Sequence, residues 1–182
     1  MLAYVFSHRP APGVEPAPYE AVLREFHSRL AATPPRGFFG SLTYRIGDAY
    51  ADWYLLADSA AMDALNEAAV SGSRTTPHNL AARMAVDGVG KLLLLAAGEH
   101  DAAAGYEIRF AKPAGMPYAD LYASLESATA AKGAGLWRRM MVLGPPPEFC
   151  LTAPAPIELP AEMRPEVVSR IRISPDRASG VA

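Results

Sequence analysis

The alternation of apolar and polar residues divides this chain into short strands and amphipathic helices. Leu2, Tyr4 and Phe6 fall on one face of an extended segment and Ala3, Val5 and Ser7 on the other, which predicts a strand over Leu2 to His8. Arg9 to Pro18 holds four prolines and a glycine and reads as a loop. Tyr19, Val22, Leu23, Phe26 and Leu30 then recur at helical spacing, and Pro34-Pro35 ends that helix. Phe38 to Ile46 alternates again, Gly47-Asp48 turns the chain, and Tyr50 to Ala57 is the next strand.

The stretch from Trp53 to Ala97 organises the first half. A strand enters and Asp58 or Ser59 caps a helix whose stripe is Met62, Leu65 and Ala69. Gly72 stops that helix. The loop SGSRTTPH leads to a second helix, with Thr76 expected as its cap and Pro77 in its first turn. Asp87-Gly88-Val89-Gly90 reads as a turn into the strand Lys91 to Ala97. The order is β-α-β-β-α-β with the second helix split, the arrangement of ferredoxin-like folds.

The order then starts again. Tyr106 to Ala111 is a strand, and Lys112-Pro113-Ala114-Gly115 echoes Arg9-Pro10-Ala11-Pro12-Gly13. Pro117-Tyr118 opens a helix as Pro18-Tyr19 does. Strands follow over Leu136 to Leu143, Glu148 to Thr152 and Val167 to Ile173. The chain reads as two diverged copies of one unit. Each copy has helices on one face of its sheet, so two copies can cover each other sheet against sheet. This pattern resembles the dimeric α/β-barrel superfamily in its fused, tandem form. The superfamily includes antibiotic-biosynthesis-type monooxygenases, haem-degrading enzymes, chlorite-dismutase-like haem proteins and stress-responsive proteins. The stretch LNEAAVSGSRTTPHNLAARMA also resembles bacterial proteins without an assigned activity. The resemblance implies an α+β fold of two tandem ferredoxin-like (βαββαβ) units, packed as a fused α/β barrel. The first unit would cover 1–100, the second 104–174, with a flexible tail over 175–182.

Composition narrows the function. The chain has 182 residues, half of them hydrophobic, and a net charge of −2. That is enough for a sizeable core, and the lack of a basic stripe argues against nucleic acid. No run of apolar residues is long enough to span a membrane, and the start MLAYVFSHRP lacks the features of a signal peptide. A soluble cytoplasmic protein, monomer or homodimer, is the expectation. Cys150 is the sole cysteine, which excludes an intrachain disulfide and reads as an inert core thiol. The four histidines, His8, His27, His78 and His100, show no metal-ligand spacing. Gly88-Val89-Gly90-Lys91 lacks the remaining residues of a phosphate loop. No metal and no cofactor are expected.

Two features could carry chemistry. Arg74 and His78 flank the start of a helix, whose free amides and positive end favour an anion and a neutral imidazole. There His78 could act as a base and Arg74 could orient an anionic group, with Thr76 as a further ligand contact. The structural alternative is a plain helix joint. Strand arginines are the second feature. Arg109 shares a face with Glu107, as Arg170 does with Arg172, which fits either an anion site or ion pairs on a charged face. Among the strand aromatics, Tyr44 and Trp53 are candidates to line a ligand pocket. The expected function is binding of a small aromatic or anionic ligand. A cofactor-independent monooxygenase-like enzyme with His78 as base is one alternative. A haem protein with His78, His8 or His100 as axial ligand is another.

Overall fold

The computed structural model describes residues 1–141 and 143–173. Its strands are β1 (Leu2–Pro10), β2 (Phe38–Ile46), β3 (Ala49–Leu56), β4 (Ala85–Gly98), β5 (Tyr106–Phe110), β6 (Gly135–Arg139), β7 (Phe149–Ala153), β8 (Glu166–Ser169) and β9 (Ile171–Arg172). Its helices are α1 (Pro16–Ala32), α2 (Ala61–Ala69), α3 (Thr75–Met84), α4 (Tyr118–Ser124) and α5 (Glu126–Ala130). The fold is mixed α+β with antiparallel strand pairing. The chain forms two compact units, Met1–Gly90 with the described end from Arg172, and Lys91–Ile171. The expected tail over 175–182 lies outside the described residues, and so does Val142.

In the first unit the strand order is β4-β1-β3-β2, with β9 beside β2. Phe6 stands opposite Asp52 and His8 opposite Tyr50, while Thr43 faces Asp52 from β2. Strand alternation therefore puts Tyr4, Phe6, His8, Ser41, Thr43, Asp52 and Tyr54 on one face. Helix α1 covers that face with Tyr19, Leu23, Phe26, His27 and Leu30, all buried. The other face carries Val5, Leu42, Tyr44 and Trp53, also buried, so β3 is enclosed on both sides. Prolines in the first turn of α1 cost no hydrogen bond, and Arg24–Glu20 and Arg29–Glu25 pair one turn apart on its surface.

Two sequence expectations change here. Asp58 does accept the Ala61 amide at the head of α2. Thr76, however, is not the cap of α3. A 3-10 turn over Gly72–Arg74 runs directly into α3, and the Thr75 amide donates to Gly72 O. The helical turn itself meets the orphan amide, and no side-chain cap is made. Pro77 still lies in the first turn, where its missing N–H has no partner to lose. The second change concerns Asp87-Gly88-Val89-Gly90, which is strand and not turn. A Cβ on Gly88 would lie 2.6 Å from the Phe6 ring, and one on Gly90 within 2.5 Å of the Tyr4 hydroxyl. These glycines make room for aromatic rings on the neighbouring β1.

The second unit has the order β8-β5-β7-β6, with the latter part of β4 beside β6. Ile108 and Phe110 of β5 pack with Leu121, Leu125, Phe149 and Leu151 in an apolar core. Arg109 points to the opposite face and holds Glu107 at 2.9 Å. The expected single strand from Val167 to Ile173 is interrupted at Arg170. Its amide donates to Gly105 O, its Nε to Ala104 O, and its Nη1 lies 3.4 Å from Glu107. The buried guanidinium is held by Ala104 O and Glu107, and the strand divides into β8 and β9 at this residue. Cys150 is buried, and burial pushes its thiol up to about 12, leaving it an inert thiol at neutral pH.

Replacing Gly90 with alanine should destabilise the protein by about 1–3 kcal/mol, since the Tyr4 ring must be displaced. Chemical denaturation of Gly90→Ala measures it. Wild-type stability would show that the ring has room to move.

Candidate functional site

The first unit buries a polar cluster on the helix-facing side of its sheet. Asp52, on the otherwise apolar β3, is only 4 % exposed. One carboxylate oxygen accepts from Thr43 Oγ1 at 2.5 Å. The other lies 3.2 Å from His8 Nε2 and 3.4 Å from the Tyr54 hydroxyl. His27 Nε2 stands 3.2 Å from the Thr43-bound oxygen, but off the line of a hydrogen bond, so its attraction to the carboxylate is electrostatic. Beyond this shell, Tyr19 OH lies 2.6 Å from His8 Nδ1, and Ser41 Oγ lies 2.6 Å from His27 Nδ1. Each residue arrives by local logic: His8 and Asp52 by strand alternation, Tyr19 and His27 by the buried stripe of α1.

The electrostatics set the protons. Burial alone would raise the Asp52 carboxyl, but attraction to the neighbouring His27 and His8 outweighs it. The net effect holds the group well below the usual carboxylate range. Asp52 is therefore an acceptor only, and His8 Nε2 must donate to it. In neutral His8 that leaves Nδ1 as the acceptor, and the Tyr19 hydroxyl donates to it. Tyr19 keeps its proton, because burial and the charge of Asp52 both push its pKa up. Tyr54 is raised for the same reasons, burial first. The result is an oriented chain, Tyr19 O–H to His8 Nδ1 and His8 Nε2–H to Asp52.

This chain opens on a cavity. A space of about 240 Å³ is lined by Phe6, His8, Asp52 and Tyr54 of the sheet, by Tyr19 and Phe26 of α1, and by His78 and the small residues Ala81, Ala82, Ala85 and Gly88 of α3 and β4. A second cavity of about 420 Å³ shares Phe6, Phe26, Tyr54 and His78 and extends to Tyr4, Met62 and Asn66. His78 lies on both, its ring 5.6 Å from that of Phe26. No arginine or lysine lines either one.

The residues singled out from the sequence are scattered. Arg74 does not share a site with His78. It ties the end of α1 to the loop, donating to Thr33 O at 2.7 Å and Thr33 Oγ1 at 3.0 Å. Thr76 lines a surface groove beside α1 with Pro77 and Leu80. Tyr44 and Trp53 lie on the opposite face of the sheet from the Asp52 cluster. Arg109 belongs to the second unit and pairs with Glu107. His100, also in that unit, sits edge-on to Trp137. Reading the sequence passed over Asp52, Tyr19 and His27. The available signal was a lone carboxylate inside AYADWYLL, a strand with no other charge. Among the described residues, no group of three or more His, Cys, Asp or Glu is placed to hold a metal ion.

No family model matches the chain, and no curated protein matches it. Among solved structures, it is similar to a candidate monooxygenase from Lactobacillus acidophilus NCFM, with a TM-score of 0.57 and 7% identity. The likeness covers 95% of this chain and 94% of that one, so the two share a fold over nearly their full length. Among the described residues, no helix is long and apolar enough to cross a membrane.

Removing Asp52 strands two imidazoles and two hydroxyls in the interior. Asp52→Ala should cost about 3–5 kcal/mol, the range for breaking a buried pair, as read by urea unfolding. The lowered carboxyl also predicts a pH dependence. Its stabilisation is fully present above the unfolded-state value of about 3.9 and is lost as pH falls through the lower folded value. Asp52→Asn should flatten that acid limb, and an unchanged limb would assign it to other carboxylates. Arg74→Ala should cost about 0.5–1.5 kcal/mol through the lost bonds to Thr33. A change in ligand binding with no loss of stability would instead make Arg74 part of a site.

Proposed function

We propose that the first unit binds a small, uncharged aromatic molecule in the cavity between β1, β3, α1 and α3. The observation that carries this reading is the lining: four aromatic rings, a half-buried imidazole and a polar floor. Apolar walls with a few convergent polar groups are the usual make-up of small-molecule sites. Of the two ligand classes expected from the sequence, an anion is the poorer fit. The cavity offers no guanidinium or ammonium, and its floor already holds the Asp52 carboxylate.

The chain is read with this as two diverged ferredoxin-like copies over 1–100 and 104–174. Support comes from the strand orders, which in both units run fourth, first, third, second. The second copy has an apolar core at the level where the first holds its polar cluster, so the first is the functional one. A cytoplasmic monomer or homodimer remains the expectation. The enzymatic form of the reading is a cofactor-independent monooxygenase-like activity, with His78 as a base beside both cavities. The whole-chain likeness to the Lactobacillus protein supports the fold of such an enzyme. Of the histidines considered as a haem ligand, His8 has the least support, since both of its ring nitrogens already face partners.

Titration calorimetry with phenol, 4-nitrophenol and benzoate tests the binding. Both phenols should bind at least about tenfold more tightly than benzoate, about 1.4 kcal/mol. Ala81→Phe, which fills the cavity, should abolish the difference and cut phenol affinity by a similar factor. Equal affinity for benzoate, or no effect of the filling substitution, would place the ligand elsewhere.

A further inference from the structure

We propose that Tyr19, His8 and Asp52 form a proton relay that ionises a hydroxyl-bearing ligand, a phenol or an enol, in the first-unit cavity. The proposal rests on the aromatic-ligand reading above and goes past it to what the site does to its ligand. The geometry is the starting point. Tyr19 and His8 both line the cavity. The Tyr19 hydroxyl sits 2.6 Å from His8 Nδ1, and His8 Nε2 lies 3.2 Å from Asp52. Tyr19 and its partners are buried, so bulk water does not compete for these bonds.

Directionality makes this a relay and not merely a network. Asp52 can only accept, which fixes the proton of neutral His8 on Nε2 and leaves Nδ1 to accept from Tyr19. The Tyr19 oxygen has lone pairs left to accept from a ligand hydroxyl. When a ligand O–H donates to it, the ligand O–H bond breaks and a new O–H bond forms on Tyr19. The original Tyr19 O–H bond breaks as Nδ1–H forms on His8. The tyrosine ends as it began, the ligand becomes an oxyanion, and His8 becomes an imidazolium held by the Asp52 carboxylate. No electrons change hands and no co-reactant is needed. In this proposal Asp52 and His8 act through Tyr19, whose buried hydroxyl is the group a ligand O–H would reach from the cavity.

The surroundings bear on the charge balance. Facing the relay are Tyr50 and Tyr54 of β3, His27 of α1 and His78 of α3. The cavity lining holds no arginine or lysine, so the counter-charge for the oxyanion is the imidazolium made in the same step. Thr43 and His27 engage the remaining carboxylate oxygen, which leaves Asp52 oriented towards His8.

The probe is 4-nitrophenol, whose anion absorbs in the visible and whose neutral form does not. Calorimetry reports binding irrespective of ionisation, and absorbance reports the ionised fraction of what is bound. At a pH below the solution pKa of the probe, wild type should bind it as phenolate, lowering its apparent pKa by about one unit or more. Tyr19→Phe should bind the probe more weakly, and the probe it holds at saturating protein should lack the phenolate band. Asp52→Asn should lose the band too, because an amide donor turns His8 over and removes the acceptor at Nδ1; its melting temperature shows whether it folds. Bound probe that stays neutral in wild type overturns the relay and leaves the ligand reading standing. Tyr19→Phe with a full phenolate band overturns it as well. Absence of any binding to wild type overturns the ligand reading, and the relay with it.

Discussion

The first unit is arranged around one buried carboxylate. A charge in the interior is tolerated only when every lone pair is engaged, and Asp52 recruits partners from three elements to meet that demand. Thr43 comes from β2, His8 from β1 and His27 from α1. Those contacts fix the register of three strands against each other and the rotation of α1 above them. An outer ring repeats the logic nearer the surface. Glu20 of α1 accepts from Arg45 and Tyr50 of the sheet and from Arg24 of its own helix. Both layers align α1 to the sheet by hydrogen bonds in addition to apolar packing.

The second unit shows what the same strand order looks like without that demand. Its helix-facing core is Ile108, Phe110, Leu121, Leu125, Phe149 and Leu151, with no ionisable side chain in the cluster. Its buried charges, Glu107 and Arg170, satisfy each other and the backbone near the sheet edge. An apolar core fixes a fold through burial alone. The polar floor of the first unit is therefore an addition to what the fold needs.

Much of the fold was legible because strand and helix periods are strong signals. β2 was bounded correctly, and the facing of Ile108 and Phe110 toward Leu121 followed from alternation. β4 was misread at its start because glycine marks both turns and close approach, and only the neighbouring Phe6 and Tyr4 rings decide between them. Thr76 looked like a cap because threonine before proline usually is one, but the preceding 3-10 turn had already met the amide. The candidate site was less legible. Arg74 and His78 stand out because they are close in sequence, whereas the Asp52 cluster draws on residues up to 44 positions apart. The alternation of β2 is plain in the sequence, but its polar pair, Ser41 and Thr43, faces the helix. Which face is inward cannot be read from one strand when both faces are buried.

The cavity completes the argument for function because it is a second cost placed beside the first. A fully enclosed void of about 240 Å³ would destabilise a protein by on the order of 5 kcal/mol, and one partly open to water by less. Nothing in the backbone requires it. Ala81, Ala82 and Ala85 line it from α3 and the start of β4, and a larger side chain at Ala81 or Ala85 would close it. A buried charge network and an unfilled space lie together in one unit, while its counterpart has an apolar core. Local departures of this kind from the best-packed solution are where function is expected to lie.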